Sequence, residues 1–168
     1  MRGTKQSLFY LKLKNQEFVP IQKEINIKNR KASFEYTLLD KYTAGLQLKG
    51  TEIKSIREGK ASIAEAFCFF ENEELYVKGL QITEYTKASD YYNHEPLRNR
   101  KLLLHKRELK KIANKMDDNM TIVPLQLFIN KDGWAKLEIA TAKGKKLYDK
   151  RESIKKKDLQ RDLGRKIK

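Results

Sequence analysis

Few residues could carry acid–base chemistry, and the chain has only two histidines, His94 and His105. Histidine titrates near neutral pH, so two rings could serve as the general base and general acid of a ribonuclease. The two residues lie on either side of a predicted strand-to-helix boundary. A shared site would therefore require the fold to bring the rings together, and a histidine ribonuclease is one alternative function.

The sequence does not indicate a metal site or a nucleotide-binding loop. One cysteine and two histidines are too few for a structural zinc site. Residues 142–146, Ala-Lys-Gly-Lys-Lys, lack the first glycine and the Ser/Thr of a phosphate-binding P-loop and indicate a basic turn. Cys68 lies in the aromatic run 67–70, which is typical of a small core residue. We expect no catalytic residue, metal, cofactor or small-molecule substrate, so the chain is not predicted to be an enzyme.

The charge balance favours a polyanionic partner. Charged residues make up 35% of the 168 residues, and the formal net charge is +15. Lysine and arginine bind nucleic acid by neutralising phosphates and releasing counterions. A membrane surface would also attract this charge, but the apolar run at residues 8–11 is too short to span a bilayer and no broad apolar helix face is present. The sequence predicts a cytoplasmic nucleic-acid-binding protein with no membrane partner.

Two clusters combine cations with an apolar or aromatic side chain. The first consists of Asn29, Arg30, Lys31 and Phe34, and the second of Arg98, Arg100, Lys101, Leu103 and His105. In each cluster, basic side chains could contact phosphates while a ring or an apolar platform packs against bases. For Phe34 and Leu103 a core position is about equally expected, because apolar residues on strands usually pack inward.

Hydrophobic alternation and turn residues predict a mostly β fold with flanking helices. Strands are expected at residues 34–39, 44–48, 66–70, 75–80, 121–129 and 134–142. Short helices are expected from Thr51 to Gly59 and around residues 109–116, where apolar residues recur at helical spacing. Pro124 should lie at a sheet edge or a bulge. This order favours an OB-like antiparallel small β-barrel.

Composition divides the chain into three parts. Residues 1–20 are expected to form an N-terminal extension outside the fold, residues 21–142 the barrel, and residues 143–168 a basic C-terminal tail. The tail holds 12 basic and four acidic residues, so more than half of the net charge lies there. We therefore expect the tail to contact nucleic acid separately from the barrel.

The tail pattern predicts a conditional helix. Lys155, Lys156 and Lys157 repel one another, while Leu159 and Leu163 recur at helical spacing. The apolar stripe is too thin to fold alone, but an RNA surface would cancel the repulsion. The tail is expected to be disordered when free and helical when bound. A solvated tail without function is the alternative.

Several motifs occur together and in order. They are Asn29-Arg30-Lys31-Ala32, Ala44-Gly45-Leu46, residues 50–57 (Gly-Thr-Glu-Ile-Lys-Ser-Ile-Arg), Gly59-Lys60-Ala61, residues 100–104 (Arg-Lys-Leu-Leu-Leu) and residues 142–151 (Ala-Lys-Gly-Lys-Lys-Leu-Tyr-Asp-Lys-Arg). Together they resemble small protein B, the SsrA-binding protein family. The resemblance implies an OB-like barrel that binds the tRNA-like domain of transfer-messenger RNA (tmRNA). It also implies a tail that enters the empty mRNA channel of a stalled ribosome, where trans-translation releases the ribosome and tags the nascent peptide.

The resemblance assigns residues to each partner. On the face toward tmRNA it implies Asn29, Arg30, Lys31, Phe34, Thr43, Gly45, Leu103 and His105. Toward ribosomal RNA of the decoding centre and mRNA channel it implies Lys143, Lys145, Lys146, Tyr148, Lys150 and Arg151, and the tail pattern adds Lys155, Lys156, Lys157, Leu159 and Leu163. Phe34, Thr43 and His105 stand where the family commonly has histidine, glutamate and asparagine. A general single-strand-binding OB module is the second alternative, although it would present more aromatic residues on its strands.

Overall fold

The computed structural model describes residues 25–146, 148, 149 and 151. In this part of the chain the strands are β1 (Asn26–Lys28), β2 (Tyr36–Leu46), β3 (Ala61–Ser62), β4 (Phe67–Glu71), β5 (Glu74–Lys78), β6 (Gln81–Ile82), β7 (Arg100–Leu103), β8 (Met120–Ile129) and β9 (Ala135–Gly144). The helices are α1 (Ala32–Glu35), α2 (Gly50–Arg57) and α3 (Lys106–Ala113), with a 3-10 turn at Asp90–Tyr92. None of the helices in the described part of the chain is long and apolar enough to cross a membrane.

Six strands form a closed circuit of antiparallel pairs. The strands β8, β4, β5, β7, β2 and β9 are neighbours in that order, and β9 pairs in turn with β8. Strand β1 also pairs with β8, and β3 pairs with β6 in a separate two-stranded sheet. The mostly β, antiparallel OB-like fold predicted from the sequence is confirmed.

Alternation along the strands fills the core and fixes the outer face. On β9, Leu137 and Ile139 are fully buried, whereas Lys136 and Glu138 between them are only partly buried. Each fully buried aliphatic side chain of this kind contributes about 1.5–3 kcal/mol to folding. The pleat therefore presents Lys136 and Glu138 on the outside of the sheet.

The prediction of two strands separated at Asp40 and Lys41 is wrong, because the structure has the single strand β2 with a bulge there. The register against β9 shifts between Leu38 and Lys41. The Asp40 amide donates a hydrogen bond to the Thr141 hydroxyl over 3.2 Å. The polar backbone of the bulge is thus satisfied within the sheet, and the strand continues past it.

The prediction that Phe34 lies on a strand is also wrong, since it lies in the helical turn α1. The side-chain oxygen of Asn29 accepts hydrogen bonds from the amides of Lys31 (3.1 Å) and Ala32 (3.2 Å). This local capping favours a helical turn before β2 begins. Phe34 is 39% exposed, so the core alternative does not apply to it.

Other local predictions agree with the structure. The β4–β5 hairpin turns at Asn72 and Glu73, whose φ angles of 48° and 61° suit a two-residue hairpin loop. Pro124 lies at a register shift between β8 and β9, which confirms the predicted bulge. Strand β7 was missed because its first two residues are charged. Strand β9 extends to Gly144, beyond the boundary expected for the tail.

Candidate nucleic-acid interface

Leu103, Gly45 and Lys136 lie side by side on three neighbouring strands, and we call these three residues the Gly45 row. Gly45 on β2 pairs with Leu103 on β7 and with Lys136 on β9. A Cβ at Gly45 would lie 3.3 Å from the Leu103 Cβ and 3.7 Å from its Cδ1, so the leucine side chain leans over the glycine. Leu103 is 52% exposed and is a surface residue. Leu103 supplies an apolar side chain, Gly45 a backbone without a side chain, and Lys136 a cation. This arrangement allows a base or ribose to approach the backbone closely.

Thr43 extends this row along β2. It is exposed, lies two residues from Gly45 and pairs with Glu138 of β9. Glu138 forms an ion pair with Lys41 at 3.2 Å. Where this chain has Thr43, the family commonly has glutamate. Glu138 places a carboxylate beside Thr43 on the neighbouring strand, where it can accept hydrogen bonds from base amino groups. Lys41, Lys136 and Glu138 were not predicted as interface residues, although the alternation of β9 places the latter two outward.

His105 lies where β7 leads into α3 and is exposed. Its backbone amide donates to the Glu108 carboxylate over 3.0 Å, which caps the helix. His105, Glu108 and the exposed cations Lys106 and Arg107 line an open depression. Those two cations were also missed, since helical spacing indicates only that they lie on the polar face of α3.

The residues at the start of α1 form a separate patch. Arg30, Lys31 and Phe34 are exposed, and Lys31 pairs with Glu65 at 2.6 Å on the surface. We call these three residues the α1 patch. Asn29 holds the patch in place, because its amide nitrogen donates to the carbonyls of Ile63 (3.3 Å) and Pro124 (3.2 Å). Since Asn29 uses its oxygen and its nitrogen internally, its role in the structure is to position its neighbours.

The α1 patch and the Gly45 row lie at opposite ends of β2. Phe34 precedes the first residue of the strand, and Gly45 is its tenth residue of eleven. Ten residues of extended strand span roughly 30 Å. The structure therefore separates the predicted tmRNA-binding residues into two surfaces, which the sequence had grouped together.

The beginning of the tail is attached beside the α1 patch. Lys143 pairs with Thr37 at the end of β9. The Lys145 amide donates to the Glu35 carbonyl, and its ammonium group donates to the Ser33 carbonyl, each over 2.9 Å. Lys146, Tyr148 and Arg151 are exposed. The remaining predicted tail residues, Lys150, Lys155, Lys156, Lys157, Leu159 and Leu163, lie outside the described residues.

The prediction for Arg100 requires correction. Its side chain is fully buried and its guanidinium donates to Glu52, which is fully buried as well, over 2.8 Å. Arg98 donates to the same carboxylate through two nitrogens, at 2.8 and 2.6 Å. Arg100 also donates to the carbonyls of Leu80 and Pro96. A guanidinium committed in this way cannot reach an RNA phosphate, and the three charged residues instead tie α2 to β7.

Hydrogen bonding keeps Glu52 ionised in this buried position. Burial alone would raise the pKa of its carboxyl, but hydrogen bonds from Arg98 and the Lys49 amide, with the charge of Arg100, outweigh burial and lower the pKa. Lys101 forms an ion pair with Glu74, and its pKa is raised chiefly by that hydrogen bond. The cations of the cluster at residues 98–101 are therefore committed to ion pairs within the protein, fully buried for Arg100 and partly exposed for Lys101.

The two histidines do not form a catalytic pair in this structure. His94 is 2% exposed; its Nε2 lies 3.1 Å from the Ile82 carbonyl, and its Nδ1 lies 2.9 Å from the Thr51 hydroxyl. Because a carbonyl only accepts, Nε2 carries the proton and the Thr51 hydroxyl donates to Nδ1. Both ring nitrogens are engaged, whereas His105 is exposed. This geometry gives His94 a structural role and removes the basis for the ribonuclease alternative.

Cys68 is buried, and burial raises the pKa of its thiol. This agrees with the expected core position and is unsuited to a nucleophile. Within the described residues, no group of three or more histidine, cysteine, aspartate or glutamate side chains is placed to hold a metal ion.

Comparison with known proteins identifies the family. The family model described as SmpB protein matches residues 26–168. The SsrA-binding protein of Cytophaga hutchinsonii is 60% identical over 146 residues, covering 86% of this chain and 95% of that protein. The SsrA-binding protein of Bacteroides thetaiotaomicron is 57% identical over 148 residues, covering 88% and 98% respectively.

A solved structure supports the same assignment. A chain from the work described as "tmRNA-SmpB: a journey to the center of the bacterial ribosome" is 44% identical, with a TM-score of 0.62. The match covers 73% of this chain and 86% of that chain. The chain therefore belongs to the SmpB protein family.

Proposed function

We propose that this protein binds the tRNA-like domain of tmRNA and delivers it to stalled ribosomes, where it initiates trans-translation. Its family membership, its +15 charge and its resemblance to a chain described with tmRNA and the bacterial ribosome support this function. The protein acts by binding rather than by catalysis, and it acts in the cytoplasm, where ribosomes translate.

The observation that carries the proposal is the Gly45 row. A Cβ at position 45 would lie 3.3 Å from the Leu103 Cβ, which is tighter than an ordinary contact. The glycine avoids this contact and leaves backbone without a side chain between an apolar and a cationic residue. RNA recognition uses this combination, in which apolar surface packs against a base or ribose and cations contact phosphates. Thr43, Gly45, Leu103 and His105 are the proposed tmRNA contacts, with Lys41, Lys136, Lys106 and Arg107 as additional cations.

The α1 patch and the tail supply a second RNA-binding region. Arg30, Lys31 and Phe34 lie beside the start of the tail, at the end of β2 remote from Gly45. We propose that this region contacts a different segment of RNA from the Gly45 row. The tail residues from Lys143 onward contact ribosomal RNA, where their charge neutralises phosphate.

The test is RNA identity. RNA that co-purifies with the tagged full chain from bacterial cells should be enriched in tmRNA when sequenced. Direct titration should then show tighter binding to the tRNA-like domain than to an unrelated single strand of equal length. Equal affinity for the two RNAs would favour a general single-strand-binding module and would contradict the proposal.

A further inference from the structure

Trp134 is a large aromatic side chain whose exposure the fold does not explain. It is the only tryptophan in the chain, and it is 69% exposed. Among the described residues, no ring stacking or cation–π contact involves it. An indole left in water gives up the large stabilisation that its burial would provide, so its position requires another explanation.

The backbone that carries Trp134 is held firmly. Its amide donates to the Asn130 side-chain oxygen over 2.7 Å, and its carbonyl accepts from the Asn130 amide over 2.9 Å. Arg57 donates to the Gly133 carbonyl over 3.4 Å, which links the hairpin to α2. A ring mounted on such a turn loses little backbone freedom when a ligand contacts it, so binding is less costly.

Trp134 belongs to the same face as the Gly45 row. It immediately precedes β9, and the hydrogen bond from the Asn130 amide to its carbonyl continues the pairing of the β8–β9 hairpin by one residue. Ala135 is buried, so the same alternation directs Trp134 and Lys136 outward. Lys136 is paired with Gly45, which is paired with Leu103. Two residues span roughly 7 Å of strand. The indole thus extends the row past the first residue of β9.

The surroundings of Trp134 suit RNA better than a protein partner. The exposed Arg57 of α2 donates to the carbonyl of Gly133, which precedes Trp134. Lys131 is exposed in the hairpin turn, and Lys136 follows on the strand. Between residues 130 and 136, Trp134 is the one exposed large apolar side chain among those described. A protein interface needs a contiguous apolar patch, whereas a single flat ring among cations matches a base with its phosphates.

We propose that Trp134 stacks on a nucleobase of the RNA bound at the Gly45 row, and that it thereby extends the tmRNA-binding face. This inference rests on the proposed function, because it assumes that RNA occupies the row. The base that stacks is one not enclosed in a continuous helix, since its face must be open to the indole.

Intrinsic fluorescence tests the proposal directly. Because Trp134 is the only tryptophan, indole emission from the unmodified full chain reports on this position alone. Titration with the tRNA-like domain should quench that emission, and the change should saturate at the concentration at which an independent mobility-shift assay shows full binding. Trp134→Ala should weaken binding by about 5- to 150-fold, and Trp134→Phe by less.

Tyr92→Ala provides a matched control, because Tyr92 is 75% exposed but lies in the 3-10 turn between β6 and β7, outside the β8–β9 hairpin. It should leave the affinity unchanged. If the unmodified chain binds the RNA without any change in emission and Trp134→Ala binds equally well, this inference is wrong while the proposed function stands. If the unmodified chain does not bind the RNA at all, both fail. The fluorescence measurement requires no variant, so it remains decisive even if Trp134→Ala destabilises the fold.

Discussion

At the scale of single residues, the proposed interface depends on side chains that the fold leaves exposed at some cost. Leu103 follows the buried Leu102 on β7 and is directed to solvent over Gly45. An exposed leucine alone is common on protein surfaces. Leu103 is of interest because of its position, since it borders Gly45, which has no side chain.

Leu103→Asp should weaken binding of the tRNA-like domain by at least tenfold while leaving the far-UV spectrum and melting temperature nearly unchanged. The aspartate removes an apolar contact and repels phosphate, and at 52% exposure it remains solvated. Leu39→Asp is a matched control, since Leu39 is also 52% exposed. Equal loss of binding in both variants, measured by mobility shift, would mean that general charge repulsion accounts for the effect.

A residue's type alone could not reveal which cations are available to RNA. Arg100 and Leu103 belong to one motif, yet the arginine is fully buried and the leucine is exposed, the reverse of the usual preference. The reason is Glu52, which lies 48 positions away along the chain and pairs with Arg100 in the interior. The pattern of charges in a local stretch of sequence cannot predict a partner so distant along the chain.

At the scale of elements, the ion-pair network joins α2, β7 and the segment that precedes β7. Glu52 receives hydrogen bonds from Arg98, Arg100 and the Lys49 amide, and so it both caps α2 and anchors β7. The strand that carries Leu103 is thereby fixed relative to the helix. The network therefore supports the proposed interface and is not part of its contact surface.

Glu52→Gln should reduce the free energy of unfolding at neutral pH by about 3–5 kcal/mol, because it leaves buried guanidinium charge without a carboxylate. The folded-state pKa of Glu52 is lowered from 4.5, so its contribution is fully present above that value and is lost as the pH falls through the lower, folded value. The difference between wild type and variant should therefore be full at neutral pH and shrink as the pH falls below 4.5. Urea unfolding at neutral pH and at a series of pH values below 4.5 measures this.

The partly exposed pair of Glu74 and Lys101 provides the control for the buried network. Glu74→Gln should change stability little at neutral pH, because solvent screens the pair. If Glu52→Gln is no more destabilising than Glu74→Gln, the network does not anchor the strand in the way inferred here.

Helix α1 depends on a single cap. Asn29→Ala removes two bonds to helix amides and two to distant carbonyls, so we expect a loss of about 1–2 kcal/mol in stability. Binding at the α1 patch should weaken as well, because Arg30 and Phe34 lose their fixed position. Asn29→Asp keeps the oxygen that accepts from the helix amides but loses the donor to the Ile63 and Pro124 carbonyls, so it should restore the cap without restoring the stability lost at those carbonyls. Urea unfolding and RNA titration of both variants measure these effects.

Predictability differs between local and distant structure. The β4–β5 hairpin and the β8–β9 pair could be predicted because alternation and turn residues specify them locally. The bulge in β2 could not, because Asp40 is accommodated by Thr141 on another strand. The predicted RNA-binding residues fall into the Gly45 row and the α1 patch because β2 is a single long strand. The sequence predicted two shorter strands there, so this separation could not be foreseen.

At the scale of the whole molecule, charge is distributed in a way that separates the two tasks. The Gly45 row lies within the closed circuit of strands, while the tail leaves from the end of β9 beside α1. A stop codon after Lys146 retains the contacts of Lys145 with α1 and removes nine basic and four acidic residues. Capture of tmRNA and action on the ribosome should therefore be separable.

The truncated protein should bind the tRNA-like domain within about threefold of the full chain, because the tail contributes only non-specific charge to that complex. It should fail to support peptide tagging in reconstituted translation of an mRNA without a stop codon. In the full chain, reversal of Lys155, Lys156 and Lys157 to glutamate should reproduce that failure by repelling ribosomal phosphate. Leu159→Pro should do so by preventing a bound helix, at about 3 kcal/mol. If the truncated protein still supports tagging, the tail is a solvated extension and the helix prediction is wrong.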